Sequence, residues 1–409
     1  MRLVFLNPSA QLGGAEAALY ELLSALRAAH PAWSLALIVA AEGPLVDRVR
    51  ALGVPVTVVP FPVALARLGD WGLGKGFGAR ARMAASLCAA AGPVLRYAAQ
   101  LRRALRRERP DVLHANGLKM HVLGAWTRPR GTALLWHIHD YVSRRPLSAR
   151  LLRRAAGACA AIVANSKSVA ADAAQAIGSG PALHAVWNAV DLTRFAPTGP
   201  AADLDALAGL PAAAPGIVRI GLVATFARWK GHRTFLEALA RLPELLPVRG
   251  YVIGGPVYET AGSQVSLDEL RASAAALGLT GRVGFTGFVT DAAQAMRALD
   301  VVVHASTEPE PFGLVIAEGM ACARPVVVSR AGGAAEITTP GVDALAYAPG
   351  DAGQLAECLL SLVANASLRH RLGDAGRATA ERVFDRRRLA VEMTPIYEAL
   401  VARAAGVSA

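Results

Sequence analysis

A chain of 409 residues that is 54% hydrophobic and 18% charged is too apolar for a disordered protein and too long for one ordinary domain. Its formal net charge is +12, and the excess is confined to residues 1–197, which contain 24 Lys and Arg but only 10 Asp and Glu. Residues 198–409 contain 19 and 21, respectively. This asymmetry predicts an anionic partner for the first half, either a membrane surface or a nucleic acid.

The cysteines and the apolar segments indicate the cellular compartment of the protein. No spacing suggests a zinc site, a redox pair or a disulfide framework among Cys88, Cys159, Cys322 and Cys358. The N-terminal apolar run stops at Asn7, which predicts a first strand and not a signal peptide. The longest uncharged apolar stretch, residues 83–95, is too short to span a bilayer. We therefore expect a cytoplasmic protein, soluble or peripheral on the inner face of a membrane.

Short apolar runs that predict buried strands alternate with alanine- and leucine-rich segments that predict helices. In the first half these runs cover residues 2–6, 35–40, 54–59, 111–115, 133–137, 161–164 and 183–190. In the second half they cover residues 218–223, 250–253, 283–285, 301–304, 325–328 and 344–347. This alternation predicts an α/β protein with a parallel sheet and crossover helices in each half.

The domain boundary is expected in the stretch from Pro197 to Pro200, which is rich in proline and glycine. Two Rossmann-like domains, residues 1–197 and 198–384, would then lie on either side of a cleft. A helical segment, residues 385–409, follows them.

Two loops of the first half hold candidate site residues. Residues 11–16 contain two glycines that open a helix after the first strand, although glycine pairs are common in such turns. His137 and His139 end another strand at alternate positions, so their side chains share one face. Two histidines without a third ligand make a poor metal site, and most such pairs have structural or hydrogen-bonding roles.

The second half offers a site for an anion. Lys230 follows the first strand of this half and can neutralise a phosphate oxygen as a point charge. Further on, residues 300–337 form a strand, a proline-stiffened loop, a helix and a second strand. The helix begins near Gly313, where free amides and the helix dipole favour an anion such as a diphosphate. Glu310 and Glu318 flank this site, and carboxylates there fit hydroxyl donors, from a sugar on one side and a ribose on the other.

The segment E-P-F-G-L-V-I-A-E-G-M-A, residues 310–321, followed by R-P-V-V, closely resembles the signature of family 4 retaining glycosyltransferases. Those enzymes have the two-domain GT-B fold and use nucleotide-diphosphate sugars. The resemblance implies that Glu310 contacts the donor sugar and that Glu318 contacts the ribose. The backbone of Phe312, Gly313 and Leu314 would hold phosphate and sugar. Pro311 stands where the family usually has glycine.

Other segments extend the resemblance over nearly the whole chain. The G-G-A-E loop implies that Gly14 faces the donor phosphates, and the H-D pair places His139 near the donor sugar. The family's arginine, five residues before the lysine, is replaced by Thr225, so Arg228 of the same loop is expected to supply charge beside Lys230. The segment at Val289 resembles the one whose backbone holds the nucleobase. In the family the last helix crosses back onto the first domain, and the same is expected here.

The resemblance implies a retaining hexosyltransferase that moves a sugar from a UDP- or GDP-sugar to a hydroxyl acceptor, a glycan or glycolipid of the cell envelope. No cofactor and no metal are expected, because lysine, arginine and a helix N-terminus would replace the cation. A GT-B phosphorylase or a nucleotide-sugar epimerase is an alternative enzyme reading, although no motif for a pyridoxal-phosphate lysine is found.

A nucleic-acid-binding protein is the alternative from another class, suggested by a pI of about 10.2. The basic stretch at residues 96–109 carries one aromatic, Tyr97, and so offers little capacity for base stacking. Nucleic acid is therefore not the expected partner.

An anionic membrane is the expected partner of the basic first half. Helical spacing places Arg102, Arg106 and Arg109 on one face, with Arg103 and Arg107 beside them. The loop at residues 71–78 adds aromatics suited to an interface. A second group follows the His139 loop: Arg144, Arg145, Arg150, Arg153 and Arg154. The competing interpretation is a solvated surface that confers only solubility.

Overall fold

The computed structural model describes residues 1–62, 77–178, 180–256 and 264–406. The chain forms two compact units. Met1–Trp187 together with Arg387–Ala409 make up the N-terminal unit, and Asn188–Arg386 make up the C-terminal unit.

The N-terminal unit is a parallel sheet of seven strands, counted over the described residues, in the order β3-β2-β1-β4-β5-β6-β7. The strands are β1 Arg2–Asn7, β2 Ser34–Val39, β3 Val56–Val58, β4 Val112–Asn116, β5 Ala133–Ile138, β6 Ala161–Ala164 and β7 Ala182–Ala185. The helices are α1 Gly14–Ala29, α2 Pro44–Ala51, α3 Phe77–Glu108, α4 Leu118–Thr127, α5 Pro146–Ala155 and α6 Lys167–Ile177. Strands β4, β5 and β6 are buried along their whole length, as expected when helices cover both faces of a sheet.

The C-terminal unit repeats this plan with six described strands in the order β10-β9-β8-β11-β12-β13. They are β8 Val218–Val223, β9 Val248–Ile253, β10 Val283–Gly287, β11 Val301–His304, β12 Val326–Ser329 and β13 Leu345–Tyr347. The helices of this unit are α7 Leu204–Ala208, α8 His232–Ala240, α9 Leu267–Ala276, α10 Ala292–Arg297, α11 Leu314–Ala321, α12 Ala352–Ala364 and α13 Ala366–Val383. Two parallel-sheet domains of Rossmann type, as predicted, are therefore confirmed.

The strand order of each sheet reverses at one point, between β1 and β4 in the first and between β8 and β11 in the second. Open α/β sheets bind ligands beyond the carboxyl ends of the strands at such a switch point. Lys230 follows β8 and the loop of Glu310 follows β11, so both belong to the switch point of their sheet.

The last helix, α14 Arg387–Ala404, returns to the N-terminal unit and packs against α1. Its Tyr397 is fully buried, with the hydroxyl 2.8 Å from Nδ1 of His114 on β4. Oγ1 of Thr394 on the same helix lies 2.7 Å from Nε2 of His30. The expected crossing of this helix to the first domain is confirmed.

The chain passes into the C-terminal unit ten residues before the boundary expected at residue 197. Val190 forms a parallel bridge with Asp385, and Arg377 donates a hydrogen bond of 3.0 Å to the carbonyl of Phe195. These contacts attach residues 188–195 to the second unit. They also explain why the strand predicted over residues 183–190 stops at Ala185, because Val190 pairs elsewhere.

Within the described ranges, no helix combines the length and the apolar character that crossing a bilayer requires. The loop at residues 71–78 was predicted to approach a membrane. Its residues 71–76 lie outside the described ranges.

Candidate functional site

The loop after β8 and the loop after β11 are in close contact. Gly231 has a φ of +73°, and a Cβ added to it would lie 1.7 Å from the carbonyl oxygen of Ala305. Only glycine fits such an approach of two backbones. Thr307 strengthens the contact with a hydrogen bond of 2.7 Å from its amide to the carbonyl of Trp229. Lys230 is thereby fixed beside the loop that carries Glu310.

Glu310 is the focus of hydrogen bonds in this site. Its side chain is buried, and Oε2 accepts a hydrogen bond of 2.7 Å from Nζ of Lys230. Ser306 Oγ donates to the same oxygen at 2.7 Å, and His304 Nε2 lies 3.2 Å from it. Burial by itself would raise the pKa of this carboxyl, but Lys230 and His304 hold it well below its ordinary value. Glu310 is therefore a carboxylate, a group that only accepts hydrogen bonds.

The glycine turn after β12 supports the Glu310 loop. The amide of Gly333 donates a hydrogen bond of 2.7 Å to the carbonyl of Glu310, and Gly332 forms a parallel bridge with the same residue. This turn holds Glu310 at the carboxyl ends of β11 and β12.

The N-terminus of α11 lies directly after this loop. Gly313 is its N-cap with a φ of +93°, and no side chain caps the helix there. The helix therefore begins where the sequence predicted, and free amides at such a helix end favour an anion. Phe312 contributes only backbone, because its buried ring packs edge-to-face on Phe384 at a centroid distance of 6.1 Å. Leu314 begins the helix, and Glu318 is half-buried one turn further along.

Arg228 does not join Lys230 in this structure. Its half-exposed guanidinium binds Glu269 at 3.0 Å, and Glu269 also closes the capping box of α9 with Ser266. Thr225, at the position of the family's arginine, is half-buried in the same loop. Sequence reasoning missed Trp229, whose ring centroid is 4.0 Å from Nζ of Lys230 and adds a cation–π contact.

Val289 follows β10, two strands away from β8, and is half-buried. The chain turns just before it at Gly287, with a φ of +69°. The carbonyl of Gly287 accepts a hydrogen bond of 2.9 Å from Gly254 at the end of β9. The side chain of Phe288 between them is 65% exposed. A half-buried backbone beside an exposed aromatic is compatible with the nucleobase contact that was expected here.

The remaining two predicted residues belong to the N-terminal unit. Gly14 is exposed at the start of α1. His139 follows β5 and is half-buried, with Nε2 2.8 Å from Oδ1 of Asn116 at the end of β4. Asn116 and Asn7, the last residues of the adjacent strands β4 and β1, were not predicted from the sequence.

Four histidines of the N-terminal unit lie close together. His114 Nε2 is 3.2 Å from His137 Nδ1, and the rings of His137 and His139 lie 4.0 Å apart. Burial lowers the pKa of His139 to about 3 and that of His121 to about 4. Burial and the neighbouring histidines hold the pKa values of His114 and His137 well below the ordinary value. All four rings are therefore neutral at neutral pH.

No group of three or more His, Cys, Asp and Glu within the described ranges is arranged to hold a metal ion.

Two family models match this chain. Residues 12–194 match the family described as Glycosyltransferase Family 4, and residues 218–379 match the family described as Glycosyl transferases group 1.

Curated relatives match over part of their length. The lipopolysaccharide core biosynthesis glycosyltransferase LpsE of Rhizobium meliloti is 34% identical over 196 residues, which are 48% of this chain and 53% of that protein. The D-inositol 3-phosphate glycosyltransferase of Xylanimonas cellulosilytica is 34% identical over 248 residues, 58% of this chain and 56% of that protein. The chain thus spans about half the length of these relatives.

Solved structures match over the whole chain. HepE of Anabaena, in complex with UDP and glucose, has a TM-score of 0.79 and 26% identity, covering 98% of this chain and 100% of that one. Sucrose-phosphate synthase of Thermosynechococcus elongatus has a TM-score of 0.78, covering 98% of this chain and 99% of that one. At 19% identity, the second likeness concerns the fold alone.

Proposed function

We propose that this chain, which belongs to the family 4 glycosyltransferases, moves a sugar from a nucleotide-diphosphate sugar to a hydroxyl acceptor with retention of configuration. The two units are the Rossmann-like domains of the GT-B fold. The observation that carries the proposal is the buried Glu310 carboxylate, bonded to Lys230 beside the N-terminus of α11.

These groups suit the departure of a nucleoside diphosphate. When the bond from the sugar to the phosphate breaks, negative charge develops on the diphosphate, and preorganised positive groups stabilise it. Lys230 and the first amides of α11 provide that charge without a metal ion. Glu310, as an obligate acceptor, would bind hydroxyls of the donor sugar. Glu318 on α11 would accept hydrogen bonds from the ribose.

A UDP-sugar is the first donor to test, because the similar Anabaena protein binds UDP and glucose. Thermal unfolding of the whole protein would be followed with UDP, GDP, ADP and CMP. A nucleotide that binds only the folded state raises stability by about 2.7 kcal/mol at a hundredfold excess over its Kd. Stabilisation by one diphosphate, followed by its release from the matching nucleotide sugar when an acceptor is added, would support transfer.

The same assay separates the alternative enzymes. A phosphorylase would cleave a glycosidic bond only in the presence of orthophosphate. An epimerase would change the configuration of the donor sugar without releasing the nucleotide. If no nucleotide diphosphate stabilises the protein at millimolar concentration, the proposed donor site is wrong.

We further propose that the acceptor is a glycan or glycolipid of the cell envelope, reached from an anionic membrane surface. The names of several relatives refer to lipopolysaccharide core biosynthesis or to phosphatidyl-myo-inositol. The surface that would dock is called the basic surface here and comprises the outer sides of α3 from residue 91 onward, of α4 and of α5; these helices pack side by side in that order.

Exposure separates the two sides of α3. Leu101 and Leu105 are fully buried, whereas the arginines of the last turns are exposed at positions 102, 103, 106 and 107. Arg102 donates a hydrogen bond of 2.8 Å to the carbonyl of Trp126 on α4, and the Trp126 side chain is 54% exposed. An exposed tryptophan beside arginines suits the interface between lipid headgroups and water.

Helix α5 repeats this combination. Leu147 and Leu151, one turn apart, are both exposed, and exposed arginines lie around them at positions 144, 150, 153 and 154. Apolar residues bordered by arginine are typical of helices that lie in a membrane interface. The exposure of Trp126 and the two leucines thus supports the proposal alongside the arginines identified in the sequence.

A further inference from the structure

A row of buried polar side chains connects α1 to His139. Asn7 Nδ2 lies 3.2 Å from Oε1 of Glu16, and Asn116 Nδ2 lies 3.0 Å from Oδ1 of Asn7. His139 Nε2 then lies 2.8 Å from Oδ1 of Asn116. The row follows from topology, because β1, β4 and β5 are neighbours and these residues stand at or just after their carboxyl ends.

The direction of every hydrogen bond in this row is fixed at one end. Asn7 Nδ2 contacts the carbonyl oxygen of Ser9 at 2.5 Å as well as Glu16. A carbonyl oxygen only accepts, so the nitrogen of the Asn7 amide must point toward Ser9. Burial raises the pKa of Glu16, yet the orientation of Asn7 does not depend on whether Glu16 is ionised, because Ser9 fixes it alone.

The orientation passes along the row to the imidazole. Asn7 Oδ1 faces Asn116 and accepts from its nitrogen, so the oxygen of the Asn116 amide faces His139. An amide oxygen has no proton to give, and Nε2 of His139 must therefore carry one. In the neutral ring the lone pair is then on Nδ1, which is buried and has no hydrogen-bond partner within the described residues.

We propose that Asn7 and Asn116 are positioning residues that hold His139 in the neutral tautomer protonated at Nε2. This proposal rests on the proposed function in so far as His139 contacts the donor sugar. With Nε2 engaged by Asn116 and Nδ1 buried, the ring acts as a fixed dipole, and it does not transfer a proton during the reaction.

The surroundings of the ring keep it neutral. The His137 ring lies tilted by 35° against it with the centroids 4.0 Å apart, and His114 Nε2 lies 3.2 Å from His137 Nδ1. His121 packs against Trp136, and the nearby Asp140 is bound by Arg145 at 2.9 Å. Burial and the proximity of His121 lower the pKa of His139 to about 3, so no proton is gained at the ring between pH 5 and 8.

The test is the nitrogen spectrum of the histidine rings in the whole protein labelled with ¹⁵N-histidine. Long-range proton–nitrogen correlations distinguish the two neutral tautomers and the imidazolium, and His139→Gln assigns the resonances. We expect the Nε2-protonated neutral form throughout pH 5 to 8. An Nδ1-protonated ring or an imidazolium at pH 7 would overturn the proposal.

Two substitutions test whether Asn116 is responsible. Asn116→Leu removes the acceptor, and a mixture of tautomers should replace the single form. Asn116→Asp places a carboxylate beside Nε2, which favours the imidazolium and should bring a His139 titration into the measured range. Asn165→Ala is the matched control, because the side chain of Asn165 is buried nearby and donates to the backbone carbonyl of His139 at 3.3 Å, not to its ring. A spectrum of His139 that is unchanged in both Asn116 variants would refute the assignment.

Activity separates a positioning role from a structural one. For Asn116→Asp we expect kcat to fall at least roughly tenfold, with little change in KM for the donor, and to become dependent on pH. Thermal unfolding of each variant would be measured alongside. The expected tautomer in a protein that transfers no sugar would contradict the proposed function while leaving the polar row intact.

Discussion

Nζ of Lys230 lies 2.7 Å from Oε2 of Glu310, a residue 80 positions further along the chain. Lys230 thus binds the carboxylate that is proposed to contact the donor sugar. The positive charge of Lys230 is proposed to stabilise the diphosphate. If a donor engages both side chains, the bond to be broken is expected to lie beside this ion pair.

Replacing Glu310 by glutamine should separate transfer from nucleotide binding. The amide is close in size but has no charge for Lys230, and sugar transfer should fall by about 10²-fold or more. UDP affinity measured by calorimetry should be kept or increased, because Lys230 no longer has a carboxylate partner. A large loss of UDP affinity would mean that Glu310 holds the nucleotide and not the sugar.

Replacing Glu318 by alanine should weaken nucleotide binding, in contrast to the Glu310 variant. If its carboxylate accepts hydrogen bonds from the ribose, nucleotide binding should weaken by about 1–3 kcal/mol. Glu357→Ala, at an exposed position of α12, is the control for removing a carboxylate from this unit. Equal nucleotide affinity in the Glu318 variant and the control would exclude a ribose contact.

Stability should fall as the pH drops below about 7. In the unfolded chain histidines take up protons near pH 6.5, whereas His121 in the folded chain does so only at about 4. The unfolded state therefore binds more protons in this window, and the free energy of unfolding falls as the pH is lowered through it. Each such histidine can contribute up to about 1.4 kcal/mol per pH unit.

Urea unfolding of the wild type and of His121→Gln, at pH 7.5 and pH 5.5, would measure this effect. The variant should lose less stability between the two pH values, although it is less stable at both. His370→Gln removes an exposed histidine and serves as the control. An identical pH dependence in wild type and His121→Gln would contradict the prediction.

Transfer should continue in excess EDTA. Lys230 and the N-terminus of α11 are proposed to supply the charge that a divalent cation supplies elsewhere. The measurement is the rate of nucleotide release before and after chelation, repeated with added Mg²⁺ and Mn²⁺. Complete loss with EDTA and recovery with either metal would show that the proposed charge compensation is incomplete.

The basic surface should bind anionic vesicles. Each basic residue near such a membrane contributes about 1 kcal/mol, and the attraction is screened by salt. Co-sedimentation should rise with the fraction of anionic lipid, fall with salt, and weaken when arginines 102, 103, 106 and 107 become glutamine. Trp126→Ala should weaken binding further without changing the salt dependence.

The control for the basic surface is to replace arginines of the C-terminal unit, Arg233 and Arg241, by glutamine, which removes charge without touching that surface. No binding to anionic vesicles at low salt would leave a soluble acceptor as the better explanation.

The sequence was sufficient for the existence of the strands, though not for the end of β7, and for the start of α11, because β-branched runs between turn residues and a glycine before a helix are local signals. It could also place Lys230 and Glu310 at strand ends. Their direct contact depends on β8 and β11 being neighbours, and strand order is not a local property. For the same reason the partner of Arg228 was not predicted, since Glu269 follows a different strand.

Asn7 and Asn116 escaped prediction for another reason. Asparagine is common in turns, so an asparagine at the end of a strand predicts only a loop. Only the adjacency of β1, β4 and β5 turns these two loop residues into a row that ends on His139. Motif matching identified the histidine, but the side chains that orient it come from segments without a motif.

Tyr397 has a consequence for how the protein is made. It completes the interior of the N-terminal unit from the last helix of the chain, although nearly 200 residues of the C-terminal unit lie between Trp187 and Arg387. During synthesis the first 187 residues leave the ribosome without this tyrosine, so the side of His114 that it covers stays open while the second unit folds. The unit translated first is therefore completed only after the second unit has been synthesised, and a ribosome that stalls anywhere in the second half leaves it incomplete.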